Sequence, residues 1–206
     1  MAERIALIDY GAGNLRSVYN ALMAAGSSSV DVTADAATVK EADRIILPGV
    51  GAFAACMDGL SALPGMIDAL HHSAIDQARP FLGICVGMQL LADHGEEHGT
   101  YDGLGWIGGS VQPLASDDPQ LKIPHMGWND VIPHNAPPLI EQGEAYFLHG
   151  YHVALTEPAD AYATTDHGGP VTAAIGRDTI IGVQFHPEKS QKYGLDFLSR
   201  FLEWRP

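Results

Sequence analysis

Between Ile5 and Gln89 the chain repeats one pattern: a short apolar run, a turn, and a stretch of helical periodicity. Ile5 to Asp9 reads as a buried strand, Tyr10-Gly11-Ala12-Gly13-Asn14 as a glycine loop, and Ser17 to Ala25 as a helix ending near Gly26. Val30 to Thr33 and Arg44 to Leu47 read as further strands, the second feeding Pro48-Gly49-Val50-Gly51 and a helix from Ala52 to Leu60. A helix from Pro64 to Gln77 then leads to a strand ending at Cys85, with Met88 to Ala92 helical beyond it. Strands that alternate with helices predict a doubly wound α/β fold, a mostly parallel central sheet with helices on both faces.

From about Ser110 the pattern changes to short apolar stretches broken by Pro, Gly and Asn: Ser110 to Leu114, His125 to Ile132 and Ala145 to His149. These predict mixed or antiparallel strands extending the sheet, with surface loops at Ala115 to Gln120 and Pro133 to Pro138 and a last helix from Tyr193 to Trp204. One domain over 1–206 is expected, because the chemistry below joins mid-chain and C-terminal residues.

Gly83-Ile84-Cys85-Val86-Gly87 lies between the strand and the helix, so Cys85 is expected on a sharp strand-to-helix turn, strained and exposed, with flanking glycines permitting close approach. Helix N–H groups and a nearby imidazolium favour the thiolate. About a hundred residues later comes Gln184-Phe185-His186-Pro187-Glu188. On an extended chain His186 and Glu188 point the same way, and Pro187 is expected to keep the segment extended. Cys85, His186 and Glu188 thus form a candidate nucleophile, base and orienting carboxylate.

A net charge of −14 without a basic cluster opposes binding to nucleic acid. Two cysteines, Cys56 and Cys85, exclude a disulfide framework or four-cysteine metal site, and Cys56 is expected in the core. The N-terminus reads as a strand and not a signal peptide, and no apolar run approaches membrane-spanning length, so a cytoplasmic location is expected. The loop Gly11 to Arg16 lacks the third glycine of a dinucleotide fingerprint; close backbone approach to another surface is its expected use. His94-Gly95-Glu96-Glu97-His98 reads as a solvated loop, with no metal site.

Six motifs in order carry a resemblance over nearly the whole chain: Asp9 to Asn14, Leu47 to Phe53, Gly83 to Gln89, Pro124 to Asn129, Tyr146 to His149 and Gly182 to Ser190. The chain resembles the class I, or triad, glutamine amidotransferases, specifically the glutaminase subunits of imidazole glycerol phosphate synthase. The resemblance implies a flavodoxin-like amidotransferase fold and glutamine hydrolysis through a thioester on Cys85, without a cofactor. It implies an oxyanion hole from the backbone at Val50 or Gly51 and at Val86, and glutamine contacts at Gly51, Gln89, His149, Gly150 and Tyr151. It also implies a heterodimer with a cyclase barrel subunit, with Asn14, Tyr146 and Lys189 near the interface. Val86 stands where leucine is usual in that family, and Gly150 where a serine or threonine commonly follows the histidine. A cysteine hydrolase of similar fold, acting on peptides or γ-glutamyl compounds without a partner, remains the competing reading.

Overall fold

A computed structural model describes residues 3–115 and 121–206. Its N-terminal half is built from β1 (Ile5–Ile8), α1 (Leu15–Ala24), β2 (Val30–Thr33), α2 (Ala36–Glu41), β3 (Arg44–Gly49), α3 (Phe53–Ser61), α4 (Met66–His71), β4 (Phe81–Cys85) and α5 (Val86–Gln89). Two short strands follow, β5 (His94–Gly95) and β6 (Tyr101–Asp102), then β7 (Gly109–Pro113), β8 (His125–Pro133), β9 (Gly143–His149) and β10 (Tyr151–Leu155). β11 (Ala161–Asp166), β12 (Pro170–Arg177), β13 (Ile180–Val183) and α6 (Gln191–Glu203) complete the order.

The described residues form a nine-stranded sheet, ordered β2-β1-β3-β4-β13-β12-β11-β8-β9. Its first five strands are mutually parallel, and the rest add antiparallel. The parallel part has the 2-1-3-4-5 order of flavodoxin-like folds, in which ligands bind beyond the strands' carboxyl ends. There β3, β4 and β13 bring Gly49, Cys85 and Val183 to one edge, with Gly49 opposite Cys85 and Val183 opposite Ile84. The parallel strands are wholly buried apolar runs in β1, β4 and β13, as a sheet covered on both faces requires. The β2-β1 connection runs opposite to the others, so right-handed crossovers put α1 on one face and α2, α3 and α4 on the other; α1 packs with α6, and α2 and α3 with α4. A second sheet, β10-β7-β5-β6, flanks the first.

The predicted doubly wound core and antiparallel extension are present, with local differences. The six residues of α2 are absent from the sequence reading, since only Val39 is buried there; Asp35 caps α2 by accepting from the Ala37 N–H at 3.1 Å. The stretch expected as one helix from Pro64 to Gln77 is α4 plus a wider turn, in which the Gln77 N–H reaches the His72 carbonyl at 2.9 Å. Helix α5 is one turn and starts at Val86, earlier than the Met88 to Ala92 stretch expected. The loop expected from Ala115 to Gln120 falls, from residue 116 on, outside the described residues. Among the described residues no single helix is long and apolar enough to cross a membrane. Buried Arg44 ties the end of α6 to β3, donating to the carbonyls of Phe201 at 2.9 Å and Trp204 at 2.8 Å.

Candidate active site

Cys85 ends β4 with φ 54° and ψ −111°, the strained turn that the two flanking glycines predict. A β-carbon at Gly87 would collide with the Leu47 carbonyl, and one at Gly83 would meet the backbone of Gly87, so only glycines let α5 start this close to β3. The expectation of exposure is corrected: Cys85 is 3% exposed, at the floor of a cleft of about 290 Å³. Val86 is the first residue of α5, and its N–H therefore lacks an intrahelical acceptor.

His186 and Glu188 meet, but not on an extended chain. Pro187–Lys189 form a single 3₁₀ turn, with His186 still extended at φ −100° before it. Proline disfavours the helical region for the residue before it and suits the first position of a helical turn itself; the sequence reading used only the first effect. The turn brings His186 Nδ1 to 2.9 Å from Glu188 Oε1, both side chains 2% exposed. Burial pushes the imidazole pKa down, but hydrogen bonds to Cys85 and Glu188 and their negative charge outweigh it and raise it to about 9. The backbone of His186 is fixed from two sides: its N–H donates to the Tyr146 carbonyl at 2.9 Å, and its carbonyl accepts from the Ser190 hydroxyl at 2.7 Å. That hydroxyl also accepts from the Tyr146 N–H at 2.9 Å, which locks β9 to the turn.

The structure brings the candidate residues Val50, Gly51, Cys85, Val86, Gln89, His149, Gly150, Tyr151 and His186 together around the cleft, which is also lined by Glu97, Pro124 and Leu148 and by Lys189, which the sequence reading placed at the partner interface. Glu188 stands behind His186, and Asn14 and Tyr146 lie outside the cleft lining. Gln89 uses its amide nitrogen on the Tyr151 carbonyl at 3.1 Å and on Gln184 Oε1 at 3.0 Å, leaving its oxygen as an acceptor. His149 is committed at both ring nitrogens, Nδ1 to the Tyr151 carbonyl at 2.8 Å and Nε2 to His125 Nδ1 at 3.1 Å. Burial lowers the His149 pKa to about 3, so it shapes the cleft as a neutral wall. At Gly150 a β-carbon would meet nothing within 4 Å.

The loop after β3 is held from behind. Tyr10 donates its hydroxyl to the Pro48 carbonyl at 2.6 Å, and the Cys56 thiol, pushed up in pKa by burial, donates to the Val50 carbonyl at 3.5 Å. Cys56 is thus in the core, as expected, but it also grips this loop. Gly51 has φ +102°, a conformation for which glycine is suited. The first glycine loop meets the same segment, with Gly13 closely opposed to Pro48, the close approach expected of it.

Glu97 corrects the reading of His94 to His98 as solvated. Gly95 lies where a β-carbon would run into the Phe53 ring, so β5 packs directly on the start of α3. Glu97 then accepts from the Phe53 N–H at 2.7 Å and presents its carboxylate to the cleft. The only local signal was an acidic residue in a polar loop; the tertiary pairing of β5 with β7 gives it its place.

A sequence profile described as glutamine amidotransferase class-I matches residues 6–203. The imidazole glycerol phosphate synthase subunit HisH of Zymomonas mobilis is 60% identical over 208 residues, covering 100% of this chain and 98% of that protein. The subunit of the same name from Rhodospirillum rubrum is 52% identical, covering 98% of this chain and 100% of its own. The chain belongs to the class-I glutamine amidotransferases, in their HisH branch. Among solved structures, one described as a glutamine amidotransferase superposes with a TM-score of 0.73 at 16% identity over 96% of this chain and 97% of its own. PurLQS from Thermotoga maritima does so with a TM-score of 0.66 at 20% identity, over 98% of this chain and 97% of its own. At these identities the likeness concerns the fold, the amidotransferase fold that the sequence motifs imply.

Proposed function

We propose that this glutaminase subunit works through Cys85, His186 and Glu188 and passes its ammonia to a cyclase barrel subunit in a heterodimer. The observation that carries the reading is the pairing of a strained cysteine on a cleft floor with an imidazole held 2.9 Å from its own carboxylate. Cys85 attacks the side-chain amide carbonyl of glutamine while His186 takes the thiol proton and returns it to the leaving nitrogen, releasing ammonia and leaving a glutamyl thioester. Water, deprotonated by His186, then attacks the thioester; glutamate departs and the thiol is restored. Glu188 holds the ring orientation and stabilises the imidazolium. The oxyanion is held by the Val86 N–H and by an N–H of Val50 or Gly51. Glu97 and the free oxygen of Gln89 suit the substrate's α-ammonium, while Gly51 and the Gly150-Tyr151 backbone complete the cleft around its amino-acid end. Every step moves protons and an acyl group, which these side chains and N–H donors supply without a cofactor.

The partner surface is read from one face of the β8-β9 pair. Met126 is opposite Leu148 and Trp128 opposite Tyr146, and Met126 is 65% and Trp128 47% exposed. Lys189 sits over the Tyr146 ring, its Nζ 5.9 Å from the centroid, and both Lys189 and Leu148 also line the cleft. A partner on this face covers the mouth of the cleft and keeps ammonia from bulk water, where it would become non-nucleophilic ammonium. Asn14 begins α1, which packs against the Pro187–Lys189 turn, and its side chain makes no capping bond. One domain over 1–206 is supported by a core running from Ile5 to Phe201, and a reducing cytoplasm by two unpaired cysteines.

The test is glutamate release from glutamine by the chain alone and with the cyclase subunit and its nucleotide ligand. The expected result is a large partner-dependent rise that Cys85→Ala abolishes, with ammonia-driven turnover of the assembled Cys85→Ala complex intact. Glu188→Gln is expected to weaken release less severely. No glutamine consumption under any condition would instead favour a hydrolase of other γ-glutamyl or peptide substrates.

A further inference from the structure

Gln184 is a wholly buried polar side chain, just beyond β13, to which the reaction above gives no part. Its backbone is fixed by the N–H bond to the Ala173 carbonyl at 2.8 Å. Its side chain reaches the nucleophile, with Nε2 3.6 Å from Cys85 Sγ, while its Oε1 accepts from Gln89 Nε2 at 3.0 Å.

Which end of this amide faces sulfur follows from its neighbours. Gln89 must turn its nitrogen toward the Tyr151 carbonyl at 3.1 Å, because a carbonyl only accepts. That same nitrogen faces Gln184, so Gln184 must offer its oxygen to Gln89, which leaves its N–H groups for the sulfur. A buried N–H is costly without an acceptor, and a thiolate is a far better acceptor than a thiol.

We infer that Gln184 is a further catalytic residue, donating an N–H to Cys85 Sγ that favours the thiolate and fixes the sulfur beside His186. The inference deepens the proposed reaction and rests on Cys85 as its nucleophile. In the activating step the S–H bond breaks, the proton moves to His186, and the electron pair stays on a sulfur that Gln184 already solvates; the amide itself is unchanged. Other titratable groups around Cys85 are His186 with Glu188 behind it, Tyr10 after β1, Cys56 on α3, and His149, Glu97 and Lys189 on the cleft walls. Gln184 acts among them as a neutral dipole, so its contribution is separable from theirs.

The experiment measures alkylation of the full-length chain by iodoacetamide across pH, with Cys85→Ala supplying the background from Cys56. Gln184→Met removes the donor to sulfur, together with the acceptor for Gln89, at nearly constant shape. Gln184→Glu keeps an acceptor for Gln89 and turns its second oxygen to the sulfur. In Gln184→Met the midpoint of Cys85 alkylation is expected to rise by about one to two pH units, and in Gln184→Glu at least as far once its carboxyl ionises. In parallel, kcat for glutamine should fall about ten- to hundredfold in both variants, with KM nearly unchanged in Gln184→Glu, which keeps the acceptor that orients Gln89. An alkylation profile that overlays wild type in either folded variant, with or without a lower Tm, makes Gln184 a packing residue and overturns the inference. If wild type hydrolyses no glutamine, the glutaminase reading fails while the alkylation profiles still decide the role of Gln184.

Discussion

Single side chains at the cleft divide into those that face the substrate and those that only hold others in place. Glu97 does both, since one oxygen accepts the Phe53 N–H and the carboxylate borders the cleft. Glu97→Gln keeps an acceptor for that N–H and removes the charge. It should therefore leave Tm within about 1–2 °C and raise KM for glutamine roughly tenfold or more, the usual worth of a charged hydrogen bond, with a smaller effect on kcat. Steady-state kinetics over a glutamine series would decide it, and an unchanged KM would remove Glu97 from substrate binding. Gly150 offers the converse case. Its surroundings leave space for a side chain, at the position where the sequence resemblance implies that a hydroxyl residue is common. Gly150→Ser should fold as well as wild type and lower KM by about two- to tenfold, through one neutral hydrogen bond to the substrate's amino-acid end. A rise in KM would mean that the backbone at this position is the better partner alone.

Among the elements, the pair formed by β3 and α5 tolerates least. Gly87 lies against the Leu47 carbonyl, so Gly87→Ala must push α5 off β3 and move the nucleophile's turn with it. A cost of about 1–3 kcal/mol or more, several degrees in Tm, is expected together with loss of glutaminase activity; thermal unfolding followed by circular dichroism measures the first. This steric constraint was legible in the sequence, because glycines on both sides of a cysteine between a strand and a helix have few other uses. The strands β1, β3 and β4 were legible for a related reason: each is buried through its length, so its apolar run is nearly its whole extent, while β2 showed itself by two valines alternating with polar residues after the Gly26 turn. Elements that bury little were not. One buried valine cannot mark α2 by periodicity, although Asp35 was an available cap signal, and β5 consists of His94 and Gly95 alone. The misread at Pro187 is similar in kind: proline is compatible with both an extended strand and the start of a helical turn, and the packing of Ser190 against His186 and Tyr146 selects the turn.

At the scale of the whole molecule, buried histidines of opposite character set the dependence of stability on pH. His186 has its pKa raised to about 9 against 6.5 in an unfolded chain. The stability it adds is fully present below about pH 6.5 and is lost as pH rises through 9, because the unfolded state releases that proton first. His149 and His125 are the reverse, lowered by burial to about 3 and about 4, with the two rings hydrogen-bonded to each other. Unfolding lets them take up protons from pH 6.5 downward, so stability falls toward pH 4 with a limiting slope of about 1.4 kcal/mol per pH unit for each ring. His152, also lowered by burial, acts in the same direction. The two effects together place the maximum of stability near pH 6.5, although the carboxylates alone would allow a plateau extending upward. Urea unfolding from pH 5 to 9.5 is expected to show this maximum. In Cys85→Ala the alkaline decline should flatten, since the imidazolium loses one of the two partners that raise its pKa, while the acid decline should remain. His125→Gln should flatten the acid side alone. A Cys85→Ala protein whose alkaline limb matches wild type would mean that His186 is not charged by its pairing with the thiolate, and the nucleophile would then have to be activated only when glutamine or the partner binds.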